Sequence, residues 1–127
     1  MKNKKFKILL VEENEIAQKA TVLVLASKFE CEVSIANSGE EALQMADENK
    51  YDLILMDVGL PGIDGIETTL KIKQSQNPNH KIPVVAITAH TDAATCQQCF
   101  DAGMVGFLAK PFSYTEMQIV LERLKLF

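Results

Sequence analysis

The chain lacks any apolar run near the roughly 20 residues that a membrane-spanning helix needs. Its first apolar stretch, Ile8 to Val11, is too short for a signal-peptide core and leads straight into Glu12 and Glu13. It also lacks a disulfide framework, because three cysteines are an odd and sparse set for a domain of ordinary size. Excess basic charge is missing too: 13 Lys plus Arg are spread along a chain of formal net charge −4, which leaves no nucleic-acid footprint. The one basic cluster, Lys2, Lys4, Lys5 and Lys7, reads as a solvated start. What remains is a cytoplasmic, reduced protein without membrane contact, and at 127 residues a single domain (1–127) able to bury a core.

The stretch around which the rest is organised is Leu53-Ile54-Leu55-Met56-Asp57, followed by Gly59, Pro61 and Gly62. A short apolar run bounded by turn residues predicts a fully buried strand, with Asp57 at its carboxyl mouth. Taken alone, an Asp there does no more than start a turn. Other strand ends change that reading. Phe6 to Glu12 is a strand apolar on both faces, as a central parallel strand is. From Asn14 to about Phe29 the pattern is helical, with Ile16, Ala20, Leu23 and Ser27 or Val24 at the spacing of one face. Cys31 to Ala36 alternates like a half-exposed edge strand. Ser38 with Glu41 has capping-box spacing, as do Asp64 with Glu67 and Ser113 with Glu116, and each opens a helix. Ser75 to Lys81 reads as a polar loop. Pro83 to Thr88 is a second doubly apolar strand, Thr91 or Asp92 caps a helix that Gly103 ends, and Gly106 to Ala109 is a short strand before Lys110-Pro111. Met117, Val120, Leu121 and Leu124 form the core stripe of the last helix.

Alternating strands and helices, five of each, predict right-handed βαβ units and a parallel sheet covered on both faces. With the most apolar strands central, the strand order is 2-1-3-4-5, the doubly wound flavodoxin-like order, whose ligand site lies outside the carboxyl ends of the strands. That rule gathers Glu12, Glu13, Asp57, Thr88 and Lys110. Converging carboxylates are relieved by a hard divalent cation such as Mg²⁺. A metal, an ammonium and a hydroxyl around one carboxylate make a trap for a phosphoryl group, with Asp57 placed as nucleophile.

On these residues the chain resembles the receiver domains of two-component response regulators. The likeness runs from Ile8-Leu9-Leu10-Val11-Glu12-Glu13-Asn14 through Leu55-Met56-Asp57 and Pro61-Gly62-Ile63-Asp64-Gly65 to Ile87-Thr88-Ala89 and Lys110-Pro111-Phe112. Asn14, Gln18, Ala89-His90 and Cys99 to Met104 are most similar to receivers of hybrid sensor histidine kinases. The resemblance implies that Asp57 accepts phosphate from a phosphohistidine on a sensor histidine kinase or a histidine phosphotransfer protein. It implies Mg²⁺ or Mn²⁺ held by Glu13, Asp57 and the Gly59 carbonyl, with Glu12 acting through water. Lys110 would pair with the phosphoryl oxygens, and Thr88 would move toward them and draw Phe107 inward. The implied protein is a phosphoacceptor with intrinsic phosphotransfer and autodephosphorylation chemistry, not an enzyme in its own right, free in the cytoplasm or forming the cytoplasmic portion of a membrane-bound hybrid kinase.

Some positions depart from the family pattern. Glu13 stands where Asp is usual, which puts one extra methylene into a cation shell that tolerates little distortion. Gly59 has no side chain to orient an attacking water, the turn before the second strand lacks the usual glycine, and Val105-Gly106 replaces a commonly acidic stretch. Two alternatives compete: a pseudo-receiver that only docks partners, and a haloacid-dehalogenase-like phosphatase. The latter needs a second Asp two residues after its nucleophile, where Gly59 stands, and a cap for which a short chain has little material. Cys96 and Cys99 have redox-motif spacing but fall inside a helix, where thiols pack as buried or flanking groups. His90 is expected at the rim without chemistry, and His80 solvated.

Overall fold

The computed structural model describes residues 6–74, 76–89 and 91–126. The expectations for Lys2, Lys4, Lys5 and His90 lie outside them, as does Ser75 at the start of the polar loop. Strands β1 (Phe6–Val11), β2 (Cys31–Ala36), β3 (Leu53–Asp57), β4 (Val84–Thr88) and β5 (Gly106–Ala109) form one parallel sheet in the order β2-β1-β3-β4-β5. Helices α1 (Glu15–Lys28), α2 (Gly39–Glu48), α3 (Gly65–Ile72), α4 (Ala93–Asp101) and α5 (Tyr114–Arg123) alternate with them. None of the described helices is long and apolar enough to cross a membrane.

The inner strands are apolar from Ile8 to Val11, Leu53 to Met56 and Val84 to Ile87 because each face of the sheet carries its own core layer. Leu9, Val11, Ile54, Met56, Val84 and Ala86 pack on one side with Ala42, Ile72 and Cys99 from α2, α3 and α4. Ile8, Leu10, Leu53, Leu55, Val85 and Ile87 pack on the other with Leu25 of α1 and Met117 and Leu121 of α5. Each Val, Leu, Ile or Met side chain among them, withdrawn from water, contributes about 1.5–3 kcal/mol. β2 occupies an edge, with Glu32 its one exposed residue and the others half-buried or buried.

Helix α1 is turned the other way from its apolar spacing. Ile16 and Leu23 are 80% and 71% exposed, while Gln18, Thr21 and Leu25 are buried. The cause is polar: the Gln18 side-chain amide donates to the Glu12 carbonyl at 2.6 Å and to Asn37 Oδ1 at 2.7 Å, tying the end of β1 to the turn after β2. Those two bonds fix the rotation of the helix, and Ile16 and Leu23 follow outward.

The caps are as spaced, but only one of the three expected boxes closes reciprocally. Asn14, Ser38, Asp64, Asp92 and Ser113 each accept a backbone N–H three residues on. The reciprocal box is complete at Ser113 and Glu116. At α2 the Glu41 carboxylate instead accepts from the Asn37 N–H at 2.6 Å, one residue further back than a box requires. Gly103, at φ +101°, closes α4 in a conformation that disfavours a side chain.

The polar loop before β4 is not simply solvated. Asn79 within it is wholly buried, and His80, expected in solvent, is half-buried with Nδ1 at 2.9 Å from the Asn77 carbonyl. A buried chain segment must find partners for its polar groups. Here Asn79 supplies them to the end of α2 and the start of β3.

Candidate functional site at the carboxyl ends of the strands

Parallel register brings the strand ends to one rim. Val11 pairs with Met56, Asp57 with Ile87 and Thr88 with Ala109, so the residues just beyond Val11 and Ala109 meet beside Asp57. β1 ends one residue before the expected Glu12, yet the Glu12 N–H still donates to Ala36 at 3.0 Å and holds Glu12 in line. Lys110 follows β5 directly, its N–H donating to the Thr88 carbonyl at 2.8 Å, with a cis peptide to Pro111 after it.

The Lys110 ammonium lies between two carboxylates, 2.6 Å from Glu12 Oε1 and 3.0 Å from Asp57 Oδ2. The other oxygens are held by backbone: Glu12 Oε2 accepts from the Asn14 N–H at 3.1 Å, and Asp57 Oδ1 from the Gly59 N–H at 3.0 Å. Both carboxylates are buried, Glu12 at 2% and Asp57 at 8% exposure. Burial pushes the Glu12 carboxyl above its ordinary value; Lys110 and the Asn14 N–H oppose this, and the Asp57 charge adds to it. For Lys110 burial acts downward, but the hydrogen bonds and charges of Glu12 and Asp57 prevail and lift it, so it stays an ammonium at neutral pH. Two carboxylates against one ammonium leave one buried negative charge.

Glu13 is exposed and stands outside this buried cluster. Among the described residues no three His, Cys, Asp or Glu side chains converge as a metal-holding group. Glu12 meets Lys110 directly. The donors nonetheless fit Mg²⁺, which takes one or two carboxylates and keeps several waters: Asp57 and Glu12 are hard oxygen donors carrying one uncompensated charge, with the Gly59 carbonyl two residues after Asp57 and Glu13 directly after Glu12.

Thr88 is buried at the end of β4. Strand alternation places it on the same face of the sheet as Phe107, which is half-buried and meets Phe100 of α4 edge-on, with ring centroids 4.9 Å apart. Cys96 and Cys99 are free thiols inside α4. Cys99 is buried, and burial first, then Cys96 and Asp64, pushes its thiol up, the reverse of a reactive cysteine. The roles of the Asn14 and Gly59 N–H groups and of Gln18 carry little signal in sequence beyond an Asn at a helix start, so the residue pattern did not disclose them. Nor did it find a groove of about 460 Å³ beside the site, which runs from Glu12 and Lys110 between Ile16, Ala20 and Val24 of α1 and Phe112.

Residues 8–122 match the response regulator receiver domain family. The transcription factor prr1 of Schizosaccharomyces pombe is 36% identical over 119 residues, covering 93% of this chain and 21% of that protein. The osmosensing histidine protein kinase SLN1 of Saccharomyces cerevisiae is 32% identical over 120 residues, covering 91% of this chain and 10% of the kinase. The chain thus spans about a fifth or less of these relatives. Among solved structures, the receiver domain of the sensor histidine kinase PA1611 from Pseudomonas aeruginosa PAO1 superimposes with a TM-score of 0.84 at 36% identity, covering 94% of this chain and 97% of that one. That structure has a magnesium ion coordinated in its active site cleft.

Proposed function

The chain belongs to the response regulator receiver domain family of two-component signalling, and on that premise we propose that Asp57 is its phosphoacceptor. The donor is a phosphohistidine on a sensor histidine kinase or a histidine phosphotransfer protein. One observation carries the reading: a buried carboxylate at a central strand end, held by Lys110 on one oxygen and the Gly59 N–H on the other. Both contacts orient the carboxylate toward the rim, where a phosphoryl group can arrive in line. As the new oxygen–phosphorus bond forms, the nitrogen–phosphorus bond breaks and its electron pair returns to the imidazole, which takes up a proton. The Lys110 ammonium, released from Asp57 as that charge is spent, follows the phosphoryl oxygens. Asp57, Glu13 and the Gly59 carbonyl would hold a Mg²⁺ or Mn²⁺ ion, with Glu12 acting through water, and the ion would supply the remaining positive charge. The apolar groove beside Lys110 gives a histidine-bearing partner a surface next to the acceptor.

Thr88 is the proposed sensor. Its hydroxyl moves to the phosphoryl group, Phe107 moves inward behind it, and the face made by α4, β5 and α5 changes partner affinity, by about 1–3 kcal/mol in the usual range of such coupling. We read residues 1–127 as one receiver unit on the cytoplasmic side, alone or within a hybrid kinase.

Incubation with Mg²⁺ and phosphoramidate followed by intact mass measurement tests the acceptor. The protein gains a single phosphate, and Asp57→Asn gains none while keeping its fold. A phosphate on Asp57→Asn at a comparable rate would refute the assignment. Absence of phosphate on the unmodified protein, with no change in thermal melt across a wide Mg²⁺ range, would favour the pseudo-receiver that only docks partners.

A further inference from the structure

The geometry points to Gly65 as a positioning residue for the Asp57 carboxylate, an inference that rests on the acceptor reading of Asp57. Gly65 is the first residue of α3, and its α-carbon is seated on the backbone that carries the acceptor. A Cβ there would collide with the Asp57 carbonyl oxygen and lie 2.9 Å from Val58 Cα and 3.0 Å from the Asp57 carbonyl carbon. Those neighbours are main chain at the end of a central strand, so no flexible side chain can give way.

Hydrogen bonds hold the contact from both sides. The Gly65 N–H donates to the Val58 carbonyl at 3.3 Å, and the buried Thr69 hydroxyl donates to the Gly65 carbonyl at 2.8 Å. Val58 leads directly to Gly59, whose N–H fixes Asp57 Oδ1 at 3.0 Å. Pushing Val58 away therefore moves the Gly59 N–H and releases the carboxylate from one of its two restraints. Lys110 holds the other oxygen but leaves the group free to turn.

A built-in control lies close by. A Cβ at Gly39 would also be overpacked, against the Thr68 hydroxyl and Ile63, with 2.7 Å to Ile63 Cγ1 and 2.9 Å to the Ile63 carbonyl oxygen. That contact joins α2 to α3 without touching Asp57, Val58 or Gly59. Gly65→Ala and Gly39→Ala thus impose similar crowding in two places, only one of which bears on the acceptor.

The test measures phosphate uptake from phosphoramidate with Mg²⁺, by intact mass against time, for the unmodified protein and both variants. Rates are normalised to the folded fraction from circular dichroism, and the Gly59 amide is followed by ¹⁵N NMR. Gly65→Ala is expected to label on the order of 100-fold more slowly, with a displaced Gly59 resonance. Gly39→Ala should stay within about threefold of the unmodified rate. Equal rates for the two variants, or an unmoved Gly59 resonance in Gly65→Ala, would overturn the role of Gly65 while leaving the acceptor reading intact. An unlabelled wild type would overturn both. If Gly65→Ala does not fold, Thr69→Val, which removes only the hydroxyl anchoring the Gly65 carbonyl, decides instead: slower labelling with a shifted Gly59 amide supports the role, and an unchanged rate overturns it.

Discussion

Two buried polar clusters sit at opposite ends of the sheet, and they are built on opposite terms. At the amino ends of β3 and β4, Asn79 donates to the Ala46 and Asn49 carbonyls at 2.7 and 2.8 Å, accepts the Tyr51 N–H at 2.8 Å, and donates its own N–H to Asn77 Oδ1 at 2.8 Å. It is uncharged and closed. At the carboxyl ends, Glu12, Asp57 and Lys110 share one ammonium between two carboxylates, and the protonation of Glu12 and Lys110 is displaced. Burial of polar groups is common to both. Unspent capacity, in charge and in acceptor lone pairs, belongs to the second alone, and that is what a phosphoryl group and a cation require.

Breaking the closed cluster should have the largest effect on stability. Asn79→Ala strands buried backbone groups on both α2 and β3 and should cost about 3 kcal/mol in chemical denaturation. Phosphate uptake per folded molecule should be unchanged; a parallel fall in labelling would show that the two ends are not independent. Lys110→Met should cost about 2 kcal/mol at pH 7, since it leaves two buried carboxylates facing each other. The deficit should shrink as pH falls and protonation removes the repulsion, and a deficit that grows in acid would contradict the charge arrangement.

A smaller effect sharpens the same contrast. The Glu12 carboxyl is raised in the fold, so just above the ordinary glutamate value the folded protein holds a proton that the unfolded chain has released. Its contribution is complete below that ordinary value and is lost as pH rises through the raised one. Glu12→Gln should flatten the stability profile across that window, and denaturation midpoints at a series of pH values will show whether it does. Smallest of all, Ile16→Ser touches neither cluster and should change stability by no more than about 0.5 kcal/mol in a thermal melt.

The last of these predictions marks where the sequence misled. The sheet was legible because Ile8 to Val11, Leu53 to Met56 and Val84 to Ile87 are apolar at every position, and only a two-sided parallel sheet buries such runs. The meeting of Glu12, Asp57 and Lys110 was legible for the same reason, since strand order and strand ends locate them. Apolar spacing alone misorients helix α1, whose rotation answers to the two hydrogen bonds of Gln18. Asn79 reads as part of a polar loop because nothing local separates an asparagine that caps two distant carbonyls from one in solvent. The strand-end rule places Glu12 and Glu13 together at the mouth but does not say which way each side chain turns: Glu12 points into the cluster with Lys110, and Glu13 is exposed beside it.

The sheet order also sets a timetable. Lys110 follows Asp57 by 53 residues, and at roughly 5–20 residues per second a ribosome needs about 3–10 s to cover that distance. Through that interval the growing chain carries both carboxylates without the ammonium that joins them, however well β1, β2 and β3 have already paired. The bridge between the two carboxylates therefore arrives only with the fifth strand, and a chain ending before Lys110 leaves Glu12 and Asp57 side by side without it.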